Sequence, residues 1–368
     1  MSLVVCGFEH TLTLDASGSV WGFGRNTNSQ LGCKEKEDQV IPKKIESLVD
    51  ITCVAAGNYH SLCCDVNGKV WSFGKNSLGC LGTPDDVDRP TPTVIEGLEN
   101  IIYVSCGDIH SACLDSTSFA WTFGDNRDWK LGLPERKVYP PTRVDLENIK
   151  AVSCGADHTA FVTTDGKLYS TGANAYGQLG TEKIKDREKP TLQCVPNLPT
   201  IDSVACGTWY TVVLTSRGEV YSFGFNTNGQ LGVGDKEHRN TPTKAILPDA
   251  TEICRISCGY YHTMMLDTTD SLWLSGRNMD GQLGLGDSAD RLTPEKLEHE
   301  KMNSVCHFSY GGCSTILKDS DTVIWVFGNN DHGQIGLGGR TRENTPKSLP
   351  EEFSSVIGKR SVAKSARN

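Results

Sequence analysis

The 368-residue sequence is short of several things, and each shortage removes a class of function. It has no apolar run approaching the roughly 20 residues that a membrane-spanning helix needs. It has no Asn-x-Ser/Thr acceptor and no leader pattern ahead of Leu3, Val4 and Val5, so a cytosolic or nuclear protein with no membrane attachment is expected. Positive charge is deficient: 36 Lys and Arg face 45 Asp and Glu, a formal charge of −9. Gripping bulk DNA needs clustered cations, and this balance disfavours it. Enzyme signatures are missing too. None of Gly68-Lys69, Gly74-Lys75, Gly166-Lys167 or Gly358-Lys359 is followed by Ser or Thr, so no phosphate loop is encoded, and GxSxG, HExxH and GxGxxG do not occur. Neither bond-making catalysis nor a cofactor is expected. Helical spacing is also absent, because apolar residues alternate, as at Leu12 and Leu14 or at Val20 and Phe23 around Trp21.

What is present is one pattern written seven times. Residues Cys206 to Gly232, CGTWYTVVLTSRGEVYSFGFNTNGQLG, read as two short strands around the turn Ser216-Arg217-Gly218, followed by a Gly- and Asn-rich closing block suited to positive φ. The opening glycine recurs at Gly7, Gly57, Gly107, Gly155, Gly207, Gly259 and Gly311, at spacings of 50, 50, 48, 52, 52 and 52 residues. An aromatic recurs in the second strand of the pattern (Trp21, Trp71, Trp121, Tyr169, Tyr221, Trp273, Trp325) and reads as core material. Charged connections ending in Thr-Pro, as at Thr91-Pro92 and Thr241-Pro242, supply an edge strand. Four strands per copy make one blade, so the expected fold is an all-β, seven-bladed β-propeller, monomeric, over residues 1–358. Residues 359–368 form a basic tail (Lys359, Arg360, Lys364, Arg367) read as a solvated terminus. Either the strand near Leu3 to Cys6 or one near Ser354 to Ile357 could close the ring. Five of the fifteen cysteines (Cys6, Cys106, Cys154, Cys206, Cys258) share one repeat position, which predicts packing and reduced thiols rather than a disulfide framework.

Positions that vary inside a fixed pattern are free of the packing rule. The pair after each opening glycine is such a place: Phe8-Glu9, Asn58-Tyr59, Asp108-Ile109, Ala156-Asp157, Thr208-Trp209, Tyr260-Tyr261 and Gly312-Cys313. By symmetry these pairs ring one rim, and their mixture of acidic and aromatic groups suits a protein interface; Glu9, Tyr59, Asp108, Asp157, Trp209 and Tyr261 are the candidates. The repeat histidines (His10, His60, His110, His158, His262) lack partners at metal-ligand spacing, so side-chain bonds to loop backbone are expected and no metal.

The string CGxxHTxxLxxxGxVWxFGxNxxGQLG resembles the repeat of the RCC1 (regulator of chromosome condensation) family over residues from about 3 to 350. The resemblance implies a protein-binding propeller and, for one branch of that family, a guanine nucleotide exchange factor for the small GTPase Ran. GDIH at Gly107 to His110 is similar to the family's GDSH, and GADH at Gly155 to His158 to its GNDH, which places Asp108, Asp157 and, on the same face, His10 toward a GTPase. Thr27 stands where that branch has Asp, and Tyr261 where it has His. Its exchange wedge has as nearest counterpart the loop Arg127 to Tyr139 with Trp129 and Lys130, no longer here than in the sister copies. The rival implication is a scaffold or ubiquitin-pathway adaptor without exchange activity. A light-sensing relative needs a Trp-rich rim, and only Trp209 is there.

Overall fold

The computed structural model describes residues 4–182, 192–351, 353 and 354, with the backbone alone at Tyr310. Each copy of the repeat is one four-stranded antiparallel sheet with its strands in chain order. In blade 5 the inner strand Ile201–Cys206 is followed by Tyr210–Thr215, Val220–Gly224 and the outer strand Arg239–Lys244. Seven such sheets build the expected propeller. The Thr-Pro segments are the outer strands, where a missing N–H faces no neighbour.

Apolar residues of one blade pack against the next, as Leu12, Leu14 and Val20 do against Val54, Cys63 and Phe73. The phenylalanine of each Phe-Gly pair is fully buried, and truncating such a ring to alanine typically costs about 3–5 kcal/mol. The preceding blade's last glycine meets it: a Cβ on Gly32, at φ +68°, would stand 3.0 Å from the Phe73 ring. The closing-block asparagine has a role that positive φ does not describe. Its side-chain oxygen accepts the N–H of the buried Leu or Ile five residues on, in all seven blades, from Asn26 with Leu31 at 2.9 Å to Asn330 with Ile335 at 3.2 Å.

The aromatic of the third strand is half-buried, except the buried Trp325, and it clamps the hairpin before it. Asp267 accepts the Trp273 indole N–H at 2.9 Å, the Thr269 and Ser271 N–H groups at 2.8 and 2.9 Å, and the Thr269 hydroxyl at 2.7 Å. Burial pushes its pKa up, but these donors outweigh it and hold the carboxyl below its ordinary value. Blades 4 and 5 change both partners together, to Thr163 with Tyr169 and Thr215 with Tyr221. Asp267→Ala is expected to lower stability by about 2 kcal/mol in urea unfolding, hydrogen bonds to a charged group being worth about 1.5–3. Asp267→Thr with Trp273→Tyr should recover most of that, and a loss below about 0.5 kcal/mol in the single variant would mean that the clamp carries no load.

Ring closure needs no shared blade among the described residues. Val4–Cys6 is the inner strand of blade 1, and Glu343–Ser348 is the outer strand of blade 7. Ser354 belongs to a helical turn bonded back to Pro350 rather than to a strand, and 355–357 and the basic tail lie outside the described residues. The seam is closed by side chains and backbone together: Val4, Cys6 and Phe23 pack on Ile316, Val326 and Leu349, the Gly312 and Gly338 N–H groups bond the Gly7 and Val40 carbonyls at 2.9 Å each, and His332 Nδ1 bonds Asp38 at 2.9 Å. All fifteen cysteines are free. The five equivalent ones line the axial channel, where burial pushes the Cys206 thiol up to about 12.

Candidate functional site

The seven variable pairs do form one rim. Each opening glycine turns the chain by bonding the carbonyl three residues on, as Gly207 N–H does with Tyr210 at 2.9 Å. Glycine is needed there for close approach, not for φ: a Cβ on Gly57 would lie 2.6 Å from the Gly107 carbonyl oxygen and 2.6 Å from the His60 ring. The first member of the pair faces the channel mouth, which is lined by Asn58, Asp108, Ala156, Thr208 and Tyr260. The second member stands outside it. Its carbonyl accepts the N–H of the residue after the third strand's glycine, as in Arg25 to Glu9, Lys75 to Tyr59 and Phe225 to Trp209 at 2.8–2.9 Å. A third rim position therefore exists in every blade: Arg25, Lys75, Asp125, Ala173, Phe225, Arg277 and Asn329. Its signal was present in the sequence as the changing residue of FGxN, but only the strand register shows that it joins the pair.

The rim divides by chemistry. On blades 1 and 2, Glu9 pairs with Arg25, while Arg25 and Lys75 stand 5.7 and 5.5 Å from the Tyr59 ring centre. On blades 4 to 6 the aromatics meet one another. Trp209 lies 5.4 Å from Tyr176, 5.6 Å from Phe225 and 6.0 Å from Tyr261, and Phe225 stacks on exposed His238 at 5.0 Å. Across the axis, Phe8 of blade 1 stacks on Tyr260 of blade 6 at 4.9 Å, and the Tyr260 hydroxyl donates to Asp108 of blade 3 at 3.2 Å.

Asp157 joins the two halves. Its carboxylate accepts from Lys130 Nζ at 2.8 Å and from the Trp209 indole at 3.5 Å. Lys130, where most sister blades have Gln, is fully buried and also bonds Asp125 at 3.1 Å. Burial alone would lower its pKa, but Asp157 and Asp125 outweigh that and raise it. Asp108 is different: burial, then repulsion by Asp157, pushes its carboxyl up to about 6.

Two expected contact residues are corrected. His10 is buried and unavailable to a partner, because its ring points into the next blade and bonds the Ser61 hydroxyl at 2.9 Å. His60 with Ser111, His110 with Thr159 and His158 with Thr211 repeat that geometry, so these four repeat histidines each bind a neighbouring hydroxyl rather than loop backbone. Each hydroxyl in turn donates to a closing-block carbonyl, as Ser61 does to Gln30 at 2.8 Å. Lys130 is likewise an internal strut and not a wedge tip. Arg127 is exposed, bonded to Asp125, and half-buried Trp129 takes φ 65° where most sister copies have glycine. That backbone choice costs an ordinary residue about 1–2 kcal/mol. Among the described residues no three His, Cys, Asp or Glu side chains converge as metal ligands, and no helix is long and apolar enough to cross a membrane.

Comparisons with known proteins agree with this architecture. The family model of the RCC1-like domain matches residues 138–366, and models of the regulator of chromosome condensation (RCC1) repeat match 17–64 and 67–114, and 2–30 and 51–80. The ultraviolet-B receptor UVR8 of Arabidopsis thaliana is 31% identical over 176 residues, 48% of this chain and 40% of that protein. The X-linked retinitis pigmentosa GTPase regulator of Mus musculus is 34% identical over 137 residues, 36% of this chain and 14% of that protein. The chain thus spans less than half the length of these curated relatives. Yeast RCC1 (Prp20), solved bound to Kap60, superposes with a TM-score of 0.81 at 22% identity, covering 96% of this chain and 86% of that one, which shows the fold. The chain belongs to the RCC1-repeat family.

Proposed function

We propose that this propeller is a binding protein whose rim grips a Ran-type small GTPase and accelerates release of its nucleotide. The observation that carries the reading is Asp108. Its half-buried carboxyl stands at the channel mouth beside Asp157, bonded to the Tyr260 hydroxyl, with no cation in salt-bridge range among the described residues. A basic side chain of the partner would fill that position, and the aromatic group around Trp209 would supply the apolar contact. Exchange needs no catalytic base. Tighter binding of the nucleotide-free GTPase than of the loaded one is sufficient, since linkage then loosens the nucleotide. The GTPase regulator among the relatives supports the choice of partner class.

Catalytic amounts of the chain are expected to speed loss of labelled GDP from Ran. Asp108→Asn and Asp157→Asn should each slow that rate at least tenfold, in line with about 2 kcal/mol for a carboxylate buried against a cation. Unchanged GDP release with the unaltered chain overturns the exchange reading. Capture of another protein through the same rim would then favour a scaffold or ubiquitin-pathway adaptor.

A further inference from the structure

Sevenfold repetition makes departures from it visible, and one group of departures lies on the lower face, opposite the rim. Nine large apolar side chains are exposed among the described residues. Five of them, Ile41, Val87, Val138, Ile246 and Met279, are spread one to a blade over outer strands and loops, while Val49, Val66, Ile102 and Tyr103 fall together where blade 2 joins blade 3. Two backbone bonds hold their segments side by side: the Val66 N–H donates to the Asp50 carbonyl at 2.9 Å, and the Ile101 N–H to the Gly68 carbonyl at 3.1 Å.

Building a blade calls for none of the four. Val66 heads a hairpin turn at a position where five sister blades have Ser or Thr, and Val49 stands where blades 3 and 4 have Glu99 and Glu147. Ile102 is the extra residue of a β-bulge, skipped between the Ile101–Asp115 and Tyr103–Leu114 pairs, and the sister bulges carry Thr52, Lys150, Asp202 and Cys254. A bulge residue is unpaired and re-aimed, so an aliphatic group there serves no core. Tyr103 lines a cavity of about 480 Å³ at the lower mouth of the channel, which leaves an anchoring side chain room to enter. Apolar groups exposed singly need no explanation, whereas a group of them marks an interaction surface.

Charge surrounds this patch. The connections 45–50, 95–100 and 144–148 that bound it carry Glu46, Asp50, Glu96, Glu99, Asp145 and Glu147, all exposed, and no Lys or Arg. Lys44, Lys69 and Arg143 adjoin them, three cations against six carboxylates, so the excess is negative. Such a rim complements a cationic segment and repels an anionic membrane. Strand addition is not open to the partner, because the Val66 and Ile101 N–H groups are already bonded, whereas a helix satisfies its own backbone.

We propose that the lower face of blades 2 and 3 docks a basic amphipathic helix of a protein partner, its apolar side chains on Val49, Val66, Ile102 and Tyr103 and its Lys and Arg toward the acidic connections. Surface and partner are independent of the GTPase reading, which concerns the opposite face.

Fluorescence anisotropy of a labelled Leu–Lys peptide, with leucines at i, i+3, i+4 and i+7, titrated with the full chain at pH 7 tests this. Saturable one-to-one binding is expected, weakened at least tenfold by Val66→Ser with Ile102→Thr, and weakened with a flatter salt dependence by Asp50→Asn with Glu99→Gln. The first pair restores residues of sister blades and leaves the charge unchanged, so an unaltered thermal midpoint separates loss of the surface from loss of the fold. No saturable binding at submillimolar peptide, or equal binding in the Val66→Ser, Ile102→Thr variant, overturns the surface. Weakening by the rim substitution Asp108→Asn would put the peptide on the rim and overturn it as well. A Leu–Glu peptide of the same spacing binding as tightly overturns the basic partner, and self-association of the chain that the Val66→Ser, Ile102→Thr variant abolishes would make a second copy the occupant instead of a helix.

Discussion

Lys130→Ala is expected to destabilise the propeller by about 3–5 kcal/mol, the usual effect of removing one partner from a buried ion pair. The reason is what stays behind. Asp125, buried, and Asp157, half-buried, lose the ammonium that lies 3.1 and 2.8 Å from them, and Arg127 reaches only Asp125. Lys130→Gln should fare little better, although Gln is the residue of most sister blades, because Gln neutralises neither carboxylate. Adding Asp125→Asn and Asp157→Asn to that glutamine variant should bring stability back to within about 1 kcal/mol, since uncharged hydrogen-bonded groups replace the stranded carboxylates. Denaturant midpoints for the single and combined variants decide the matter. A cost below about 1 kcal/mol for Lys130→Ala would mean that solvent already screens the cluster.

Acid should unfold the chain well before most of its carboxylates are protonated. Five histidines are buried and neutral, and burial holds His10 and His262 down at about 3, His60 and His158 at about 4, and His110 far below its ordinary range. The sign follows from proton uptake. Between pH 6.5 and about 4 the unfolded chain protonates these rings and the folded chain does not, so stability is fully present above pH 6.5 and falls as pH falls. Each ring removes about 1.4 kcal/mol per pH unit, so together the five remove about 10 kcal/mol by pH 5, comparable to the whole stability of a typical domain. Asp108 works the other way. Its folded-state value near 6 lies above the unfolded one, so it returns stability as pH drops through 6 toward 4, and one such group offsets one histidine at most. Urea unfolding at pH 7.5, 6.5 and 5.5 should show the decline, and His60→Gln should shallow it by one proton. A flat profile from pH 7 to 5 would show that the folded chain protonates these rings as freely as the unfolded one.

The blade plan was legible because it rests on period and pattern: Gly207, Leu231 and, in five of the seven copies, the Phe223 position serve packing or turning and return at their places along the chain. The rim pairs were legible for the converse reason, as the places where repetition stops. What escaped was anything settled between blades. That His10 meets Ser61 and Lys130 meets Asp157 depends on contacts across 51 and 27 residues, and repetition fixes a residue's place in its own blade without naming its neighbour in the next. Asn226 was misjudged for a related reason: its side chain binds the Leu231 N–H, while the positive φ belongs to Gly229 and Gly232. The aromatic group around Trp209 was half seen, because Tyr176, Phe225 and His238 come from loops that only the fold gathers.

Each blade is one unbroken stretch of chain, and none of the described strands is lent from one blade to another. That has a consequence for how such a molecule can be inherited. Where one blade is completed by both chain ends, duplication of a gene segment must respect the borrowed strand; here a cut one period long that starts between two blades carries one complete blade. Blades can therefore be gained, lost or exchanged as whole genetic units, with only the ring's closure, carried by contacts such as His332 with Asp38 and the Gly312 N–H with the Gly7 carbonyl, left to limit how many are kept.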